Sequence, residues 1–558
     1  MSDAPFRWSI DLPDEAVTRA LARRLANELR AGDLVTLGGD LGAGKTTLAR
    51  AIIRALMRNE QTEVPSPTYT LLQTYEGPEF SIIHADLYRI THPSELAELG
   101  WEEAAENALV LVEWAEKAGE TLAEDRLEAQ LSMAGGQGQG RSLILTGHGR
   151  FAPRLARAKA IQRILAQAGF ADARRAFMQG DASVRAYERL FDEKSGRRAV
   201  LMIAPRRPDG PAIRLGKSYS TLVHLAESIE AFVAMARALK AQGFSAPEIY
   251  AADFESGLLV IEDLGQHGVV DEKGPIAERY RAAIEVLAEL HARVLPDHIP
   301  VAGEMMHRLA PYGLEALGIE AELLLDWYVP YAAKRTPNAS IRLSFAEAWA
   351  SVLERVVAGP KTWVLRDFHS PNLIWLPERD GLKRVGLIDF QDAVIGHPAY
   401  DVVSLLQDAR VEVPEALEFS LLALYVKLRR ARDPDFDIEA FTGAYAVLGA
   451  QRATKILGIF VRLDRRDGKP AYLAHLPRIE AYLKRCLAHP ALGRLKLWYE
   501  ANLAGFAPPS ATEPSTHGAT QARPGDGAGS GPRHAHAPAD ADNTQAADPG
   551  GGENPARP

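Results

Sequence analysis

Cysteine occurs once in the 558 residues, at position 486. A lone thiol excludes an internal disulfide and any metal site assembled from several cysteines. It falls in the helix-like stretch Tyr482-Leu483-Lys484-Arg485-Cys486 and reads as a packed, inert group rather than a nucleophile. Positive charge is not in excess either: 64 Lys and Arg stand against 73 Asp and Glu, a net charge of −9. That balance argues against broad, non-specific binding to nucleic acid or anionic membranes, while leaving room for a local basic patch. No stretch approaches the ~20 apolar residues of a membrane span. Residues 1–12 lack the basic start and apolar run of a signal peptide, so a cytoplasmic location with no membrane partner is expected. Large apolar side chains almost vanish in residues 507–558, which are dominated by Pro, Gly, Ala, Ser, Thr, Asp and His. Such a tail buries too little surface to offset its ordering entropy and is expected to be disordered. His534 and His536 within it are too few for a metal site.

The remainder has ordinary globular composition, 47% hydrophobic and 25% charged, and is too long for one core. Residues 5–149 alternate helical and strand-like patterns. An amphipathic helix over 14–30 is followed by a short apolar strand at 34–37. Further strand candidates lie at 70–75, 80–85, 108–112 and 142–145, an α/β layer arrangement. A Gly- and Gln-rich run over 134–141 reads as a turn between two late strands, and Gly147-His148-Gly149-Arg150 as a linker. A helical pattern from 153 opens the second segment, 153–506. That segment begins with hairpin-like sequence over 186–204, a helix over 228–242 and a strand over 257–262. From 276 it is mostly helical, apart from a β-rich interval over 363–389.

Gly39-Asp40-Leu41-Gly42-Ala43-Gly44-Lys45-Thr46 fits the G-x-x-x-x-G-K-[ST] phosphate-binding pattern in full, between a strand and a helix. Gly39, Gly42 and Gly44 let backbone N–H groups wrap a phosphate chain, Lys45 can reach the terminal phosphates, and Thr46 can ligate Mg²⁺. Downstream, Ser66-Pro67-Thr68-Tyr69 is a rigid loop with two hydroxyls. Asp86, in His84-Ala85-Asp86-Leu87-Tyr88-Arg89, ends a strand where a second carboxylate near Mg²⁺ belongs. Each is weak alone: such a loop is usually a turn and such an acid a cap. Glu113-Trp114-Ala115-Glu116 closes the next strand. The order and spacing of these motifs over residues 8–147 resemble TsaE, the small bacterial P-loop ATPase of tRNA threonylcarbamoyladenosine synthesis. The resemblance implies ATP hydrolysis in a complex with TsaB- and TsaD-type subunits, with tRNA only indirectly involved. It places Lys45, Thr46 and Thr47 at the phosphates, Thr46 and Asp86 at Mg²⁺, Thr68 in a switch-like loop and Glu113 near the reacting end. Tyr69 replaces the Phe usual in the family.

Leu365-Arg366-Asp367-Phe368-His369-Ser370-Pro371-Asn372 contains D-x-x-x-x-N, and Asp389 follows in Gly386-Leu387-Ile388-Asp389-Phe390-Gln391-Asp392. This is the kinase arrangement: a catalytic Asp, an Asn for metal, then a metal Asp at the end of an apolar strand. Asp367 suits acceptance of an alcohol proton, and Asn372 and Asp389 supply the oxygens that Mg²⁺ prefers. A small β-rich lobe before a large helical lobe agrees with it. The expected fold class is thus α/β: a P-loop sheet between helices, then a bilobal, kinase-like α+β domain and a disordered tail.

This second segment resembles the aminoglycoside phosphotransferase family, and within it AmgK-like cell-wall amino-sugar kinases. The likeness rests on residues 366–372 and 388–393, on Gly396-His397-Pro398-Ala399-Tyr400-Asp401, on Gln451-Arg452 through Phe460, and on Arg465-Arg466-Asp467-Gly468-Lys469. It implies ATP-dependent phosphorylation of the anomeric hydroxyl of N-acetylmuramate or N-acetylglucosamine, with Asp401 tying the catalytic loop. Two departures stand out. Leu365 occupies a position that is often His in kinases. The strand that should carry a nucleotide-pairing Lys reads Ala199-Val200-Leu201-Met202-Ile203-Ala204, with Met202 about where the Lys would be. The resembled subfamily is lysine-free there too. Phosphate contact then falls to the Gly180-Asp181-Ala182-Ser183 turn, chiefly Ser183, or to Arg185 or Arg189. Glu262 in Ile261-Glu262-Asp263-Leu264-Gly265 marks the hinge that would meet adenine. Arg452 and Lys455, one helical turn apart, either meet an anionic sugar substituent or form a solvent-facing basic pair. The alternatives are a nucleotide-dependent switch or scaffold with an inactive second half, and a kinase that modifies aminoglycosides.

Overall fold

The structure, a computed structural model, describes residues 4–92, 95, 107–121, 123–133, 140–178, 185–206 and 209–503. The tail over 507–558, the loop residues 134–139 and the turn residues 180–183, including Ser183, lie outside the described residues.

The first half is built on one sheet. Its elements are β1 (Phe6–Leu12), α1 (Glu15–Ala26), β2 (Leu34–Gly38), α2 (Lys45–Met57), β3 (Leu72–Glu76), β4 (Ser81–Asp86), β5 (Ala108–Glu113), β6 (Leu127–Met133) and β7 (Arg141–Gly147). The strand order is β1-β7-β6-β2-β5-β4-β3. β6, β2, β5 and β4 run parallel, while β3 at one side and β7 and β1 at the other are antiparallel. The central strands are buried along almost their whole length, Val35, Leu37, Leu109 and Leu111 being inaccessible, as a sheet covered on both faces requires. The expected helix over 14–30 stops at Ala26; Asp14 caps it by accepting a hydrogen bond from the Val17 N–H at 2.9 Å. One strand, β1, was not anticipated, and β6 was implied only as the first of two late strands, without bounds. Both alternate strictly, Phe6-Trp8-Ile10-Leu12 and Leu127-Ala129-Leu131-Met133, and that period of two was the available signal.

The next element, α3 (Phe151–Gln167), does more than open the second segment. Phe151 and Leu155 pack with Trp8, Leu12, Leu143 and Leu145 in the core of the first half. Ile161, Ile164 and Leu165, two turns further on, pack with Leu190, Leu201, Leu258 and Val260 of the second. One helix therefore completes two cores. The linker before it is not slack. Gly149 adopts a φ of +53°, and a Cβ there would lie 1.7 Å from Asp125 Oδ1; the same carboxylate accepts from the Arg150 N–H at 2.9 Å. Charge closes the junction. Arg154 on α3 grips the buried Asp33, just before β2, through both guanidinium nitrogens (2.9 and 2.7 Å). Arg175 bridges Glu188 of its own half and Glu28 of the other.

The second half has a five-stranded antiparallel sheet. Its strands are β8 (Arg174–Met178), β9 (Ala186–Phe191), β10 (Arg198–Ile203), β11 (Ile249–Asp253) and β12 (Leu258–Glu262), in the order β11-β12-β10-β9-β8. Ala199 and Leu201 face α3, while Val200 and Met202 face α4 (Ile229–Ala241) and the large core. The large lobe is helical, with α5 (Leu314–Leu323), α6 (Ala399–Leu406) and the long α7 (Ile438–Asp467) nearest the site. Two short antiparallel strand pairs interrupt it, one nested in the other: β13 (Thr362–Val364) pairs with β16 (Val394–Gly396), and β14 (Leu373–Trp375) with β15 (Val385–Leu387). Cys486 is buried, hydrogen-bonded to Gln407, and burial pushes its thiol up to about 12, so it is inert. Among the described residues no helix is long and apolar enough to cross a membrane.

Removing the Arg154 guanidinium leaves the buried Asp33 carboxylate with the Arg30 N–H, which donates to it at 2.8 Å, and with Arg150 at 3.7 Å. Arg154→Ala should lower the unfolding free energy by about 2–3 kcal/mol. The loss should appear in urea unfolding of the intact chain and as faster amide exchange in β2. An unchanged urea midpoint would show that Arg150 alone neutralises the carboxylate.

Candidate active sites

In the first half, β2 delivers the chain to the phosphate loop at the end of the sheet opposite to the Asp33 junction. Gly39 has a φ of +129°, and a Cβ on it would lie 2.3 Å from the Leu131 carbonyl oxygen, so only glycine fits. Gly44 caps α2 in the left-handed region, and the first N–H groups of that helix face the loop. Lys45 is buried. Its Nζ donates to the carbonyls of Gly39 (2.6 Å) and Asp40 (3.0 Å) and lies 3.7 Å over the Trp114 ring. The amine is thus parked on the loop it would release when phosphate oxygens arrive.

β4 and β5 run in register so that Asp86 and Glu113 sit side by side, and Glu113 is also level with Leu37 of β2. Thr46 Oγ1 donates to Glu113 Oε2 at 2.9 Å, and His84 Nε2 meets Glu113 Oε1 at 2.9 Å. Thr68 Oγ1 donates to Asp86 Oδ2 at 2.7 Å, and Ser66 Oγ to the same oxygen at 3.3 Å. The hydroxyl loop and both carboxylates therefore form one constellation beside Lys45, with Thr47 following in the first turn of α2. Sequence reasoning missed two participants. His84, fully buried, orients Glu113. Arg141 opens β7 and reaches the loop through its Nε, which donates to the Ala43 carbonyl at 3.1 Å. His84 lay in a recognised motif, but nothing near Arg141 in the sequence points to the loop. Trp114 and Leu71 adopt φ values of +60° and +62° at this site, a backbone state that bulky side chains rarely hold.

In the second half the catalytic loop runs from β13 to β14. It is pinned from below by Asp401 of α6, which accepts from the backbone N–H of Leu365 (2.7 Å) and Arg366 (2.9 Å). Asp408 accepts from the N–H and Oγ of Ser370. Arg366 is buried at a φ of +65°. It points away from the cleft onto Glu320 of α5 and the Val223 carbonyl. Asp367 keeps 38% of its side chain exposed at the cleft floor. Burial alone would raise its carboxyl, but His369, Lys455, Arg452 and Arg366 around it bring it below the ordinary carboxylate range. His369 is itself held neutral, lowered to about 4 chiefly by burial.

Asn372 donates its amide nitrogen to the Asp367 carbonyl (2.9 Å) and to Asp389 Oδ2 (3.3 Å), which leaves its amide oxygen as the atom for a cation. Asp389 follows β15 at a φ of +59° and accepts from Gln391 Nε2 at 2.7 Å. Burial, then repulsion from Asp367, raises its carboxyl, and the Gln391 hydrogen bond and the Arg185 charge offset this only in part.

The candidates for phosphate contact separate cleanly. Met202 is fully packed in the core. Arg189 is committed to Asp263 at 2.8 Å. Arg185 lies 3.6 Å from Asp389, at the Asn372 and Asp389 end of the cleft. Glu262 uses its N–H on the Glu248 carbonyl and its carboxylate on Arg379 of the large lobe, so its side chain acts as a clamp between lobes. Arg452 of α7 is buried and Lys455 half-buried on Glu320, so they are not a solvent-facing pair.

Residues 12–142 match the family model described as threonylcarbamoyl adenosine biosynthesis protein TsaE, and residues 174–437 match the phosphotransferase enzyme family. An N-acetylmuramate/N-acetylglucosamine kinase of Caulobacter vibrioides is 40% identical over 342 residues, 60% of this chain and 93% of that protein. A kinase of the same name from Pseudomonas aeruginosa is 32% identical over 280 residues, 48% of this chain and 77% of that one. The TsaE of Rickettsia felis is 45% identical over 122 residues, 22% of this chain and 71% of that protein. The chain therefore belongs to two families at once: TsaE through its first half, and the N-acetylmuramate/N-acetylglucosamine kinases of the phosphotransferase enzyme family through its second.

Proposed function

We propose that this one chain carries two ATP-dependent activities: ATP hydrolysis in the service of tRNA threonylcarbamoyladenosine synthesis, and phosphorylation of N-acetylmuramate or N-acetylglucosamine at the anomeric hydroxyl. The observation that carries the proposal is that each half brings its own motif residues together in a separate cluster. These are Lys45, Thr46, Asp86 and Glu113 in one half, and Asp367, Asn372 and Asp389 in the other.

In the first half the backbone of Gly39, Gly42 and Gly44 and the start of α2 wrap the phosphates. Thr47 and Thr68 close around them, and Lys45 exchanges its carbonyl partners for phosphate oxygens. Glu113, held by His84, orients the attacking water. TsaB- and TsaD-type subunits are the partners this half would serve.

In the second half Asp367, ionised at neutral pH, accepts the proton of the sugar hydroxyl as its oxygen attacks the terminal phosphorus. The lobe-joining segment at Glu262 lies where adenine would dock, and Arg185 takes over the phosphate contact that the β10 strand does not supply. The oxygen-only donors fit Mg²⁺ in both halves, with Thr46 and Asp86 in one and Asn372 and Asp389 in the other. Mg²⁺ bound there would neutralise phosphate charge.

The test is sugar-dependent ADP release by the intact chain, with aminoglycosides as the rival acceptors. ATP binding without release on either sugar would leave the second half a nucleotide-dependent scaffold. Lys45→Ala should cut ATP hydrolysis with TsaB- and TsaD-type partners by about 100-fold or more, and should fail to replace TsaE in cells. It should leave sugar-dependent ADP release intact; full rescue of a TsaE-deficient strain would overturn the ATPase assignment. Arg185→Ala should raise the KM for ATP in the sugar reaction by about 10-fold or more, the worth of one charge-assisted contact. An unchanged KM would return the phosphate contact to residues 180–183.

A further inference from the structure

Three cations, Arg366, Arg452 and Lys455, lie behind the catalytic loop of the kinase half, and they are not equally satisfied. Glu320, fully buried, takes two of them. Its Oε1 accepts from Arg366, and from Lys455 Nζ at 2.8 Å. Its Oε2 accepts from the Tyr312 hydroxyl, and from Gln451 Nε2 at 3.3 Å. That carboxylate is saturated.

Arg452 is left over. It is 4% exposed, its Nε is buried without a hydrogen-bond partner, and among the described residues no carboxylate stands within ion-pair distance of it. Its one recorded contact is with the Tyr400 ring, 5.8 Å from its Cζ. Two further polar atoms in the same region lack partners, Gln451 Oε1 and His369 Nδ1. A guanidinium buried to this depth without a direct ion pair is costly to the folded protein. Such a group persists where a ligand supplies the missing charge.

Arg452 is near enough to Asp367 to help lower its carboxyl, so the ligand it awaits shares the cleft with the acceptor hydroxyl. The two sugars paired in the relatives' names differ in one charged group. N-acetylmuramate carries a lactyl ether ending in a carboxylate, where N-acetylglucosamine has a hydroxyl. A planar guanidinium is the side chain best matched to a carboxylate, through two parallel hydrogen bonds.

We propose that Arg452 is the specificity residue of the kinase half, binding the carboxylate of a carboxylate-bearing amino sugar. This rests on the kinase reading. Glu320, by neutralising Arg366 and Lys455, keeps Arg452 the one unpaired cation of the three.

The experiment compares kcat/KM for N-acetylmuramate, its uncharged lactyl amide and N-acetylglucosamine, in the full-length protein and in Arg452→Gln and Arg452→Lys. In the unmodified protein the acid should exceed the amide by about 30-fold or more. Arg452→Gln should erase that preference, lowering the ratio of N-acetylmuramate to N-acetylglucosamine by a similar factor, mostly through KM. Arg452→Lys should restore part of it. Equal turnover of acid and amide by the unmodified protein overturns the assignment without any variant having to fold. So does an equal fall on both sugars in Arg452→Gln, which would place the guanidinium on the transferred phosphoryl group instead. Turnover of neither sugar by the unmodified protein removes the kinase reading itself, an outcome distinct from both.

Discussion

Everything in this molecule depends on one helix being shared by two hydrophobic cores. α3 turns Phe151 and Leu155 into the sheet of the ATPase half and Ile161, Ile164 and Leu165 into the small lobe of the kinase half. Neither face is dispensable: each would otherwise present a row of large apolar side chains to water, at roughly 1.5–3 kcal/mol per side chain. The ion pairs from Arg154 and Arg175 fix the angle at which the halves meet. Because Asp33 lies at the start of β2 and the phosphate loop at its end, the junction occupies one edge of the ATPase sheet and leaves the nucleotide edge open to partners. The union is structurally intimate, yet it touches neither set of reacting groups.

Within each half the reacting groups are held by buried charges that do no chemistry. His84 sets Glu113, Asp401 and Asp408 set the catalytic loop, and Glu320 absorbs two cations behind it. Backbone strain marks the same places: Trp114, Arg366 and Asp389 all sit at positive φ. A bulky or β-carbon-bearing residue stays in that region only where its surroundings over-determine it. Hydrogen bonds donated to buried carboxylates and the short strand pairs packed around the loop provide that constraint.

Local chemistry made much of this legible in the sequence. The phosphate loop and the Asp367/Asn372/Asp389 set are short motifs whose spacing encodes their geometry, and the structure brings each set together. What escaped was long-range. β1 and β6 carried a readable alternation that was passed over, whereas the Arg141 contact with the loop and the Glu320 contact with Lys455 join residues far apart in the chain. No local pattern records such pairings. The exposure of Arg452 and Lys455 was undecidable for the same reason: an amphipathic period does not say which polar residues of a long helix face a buried cleft. The helical pattern of α3 was visible, but its double allegiance was not, because apolar spacing tells that a face is covered and not by which core.

The apolar filling of β10 has a consequence for how this kinase lineage can vary. Met202 packs with Val200, Leu259 and Ile261 and is all but sealed from water. Position 202 therefore answers to volume and not to charge. Leucine or isoleucine would be accommodated there at under about 1.5 kcal/mol. A lysine at this point would bring an ammonium into a core lined by apolar side chains. One apolar side chain can replace another in this strand, but a charged one meets a dry core, so a phosphate contact cannot be restored here by a single exchange.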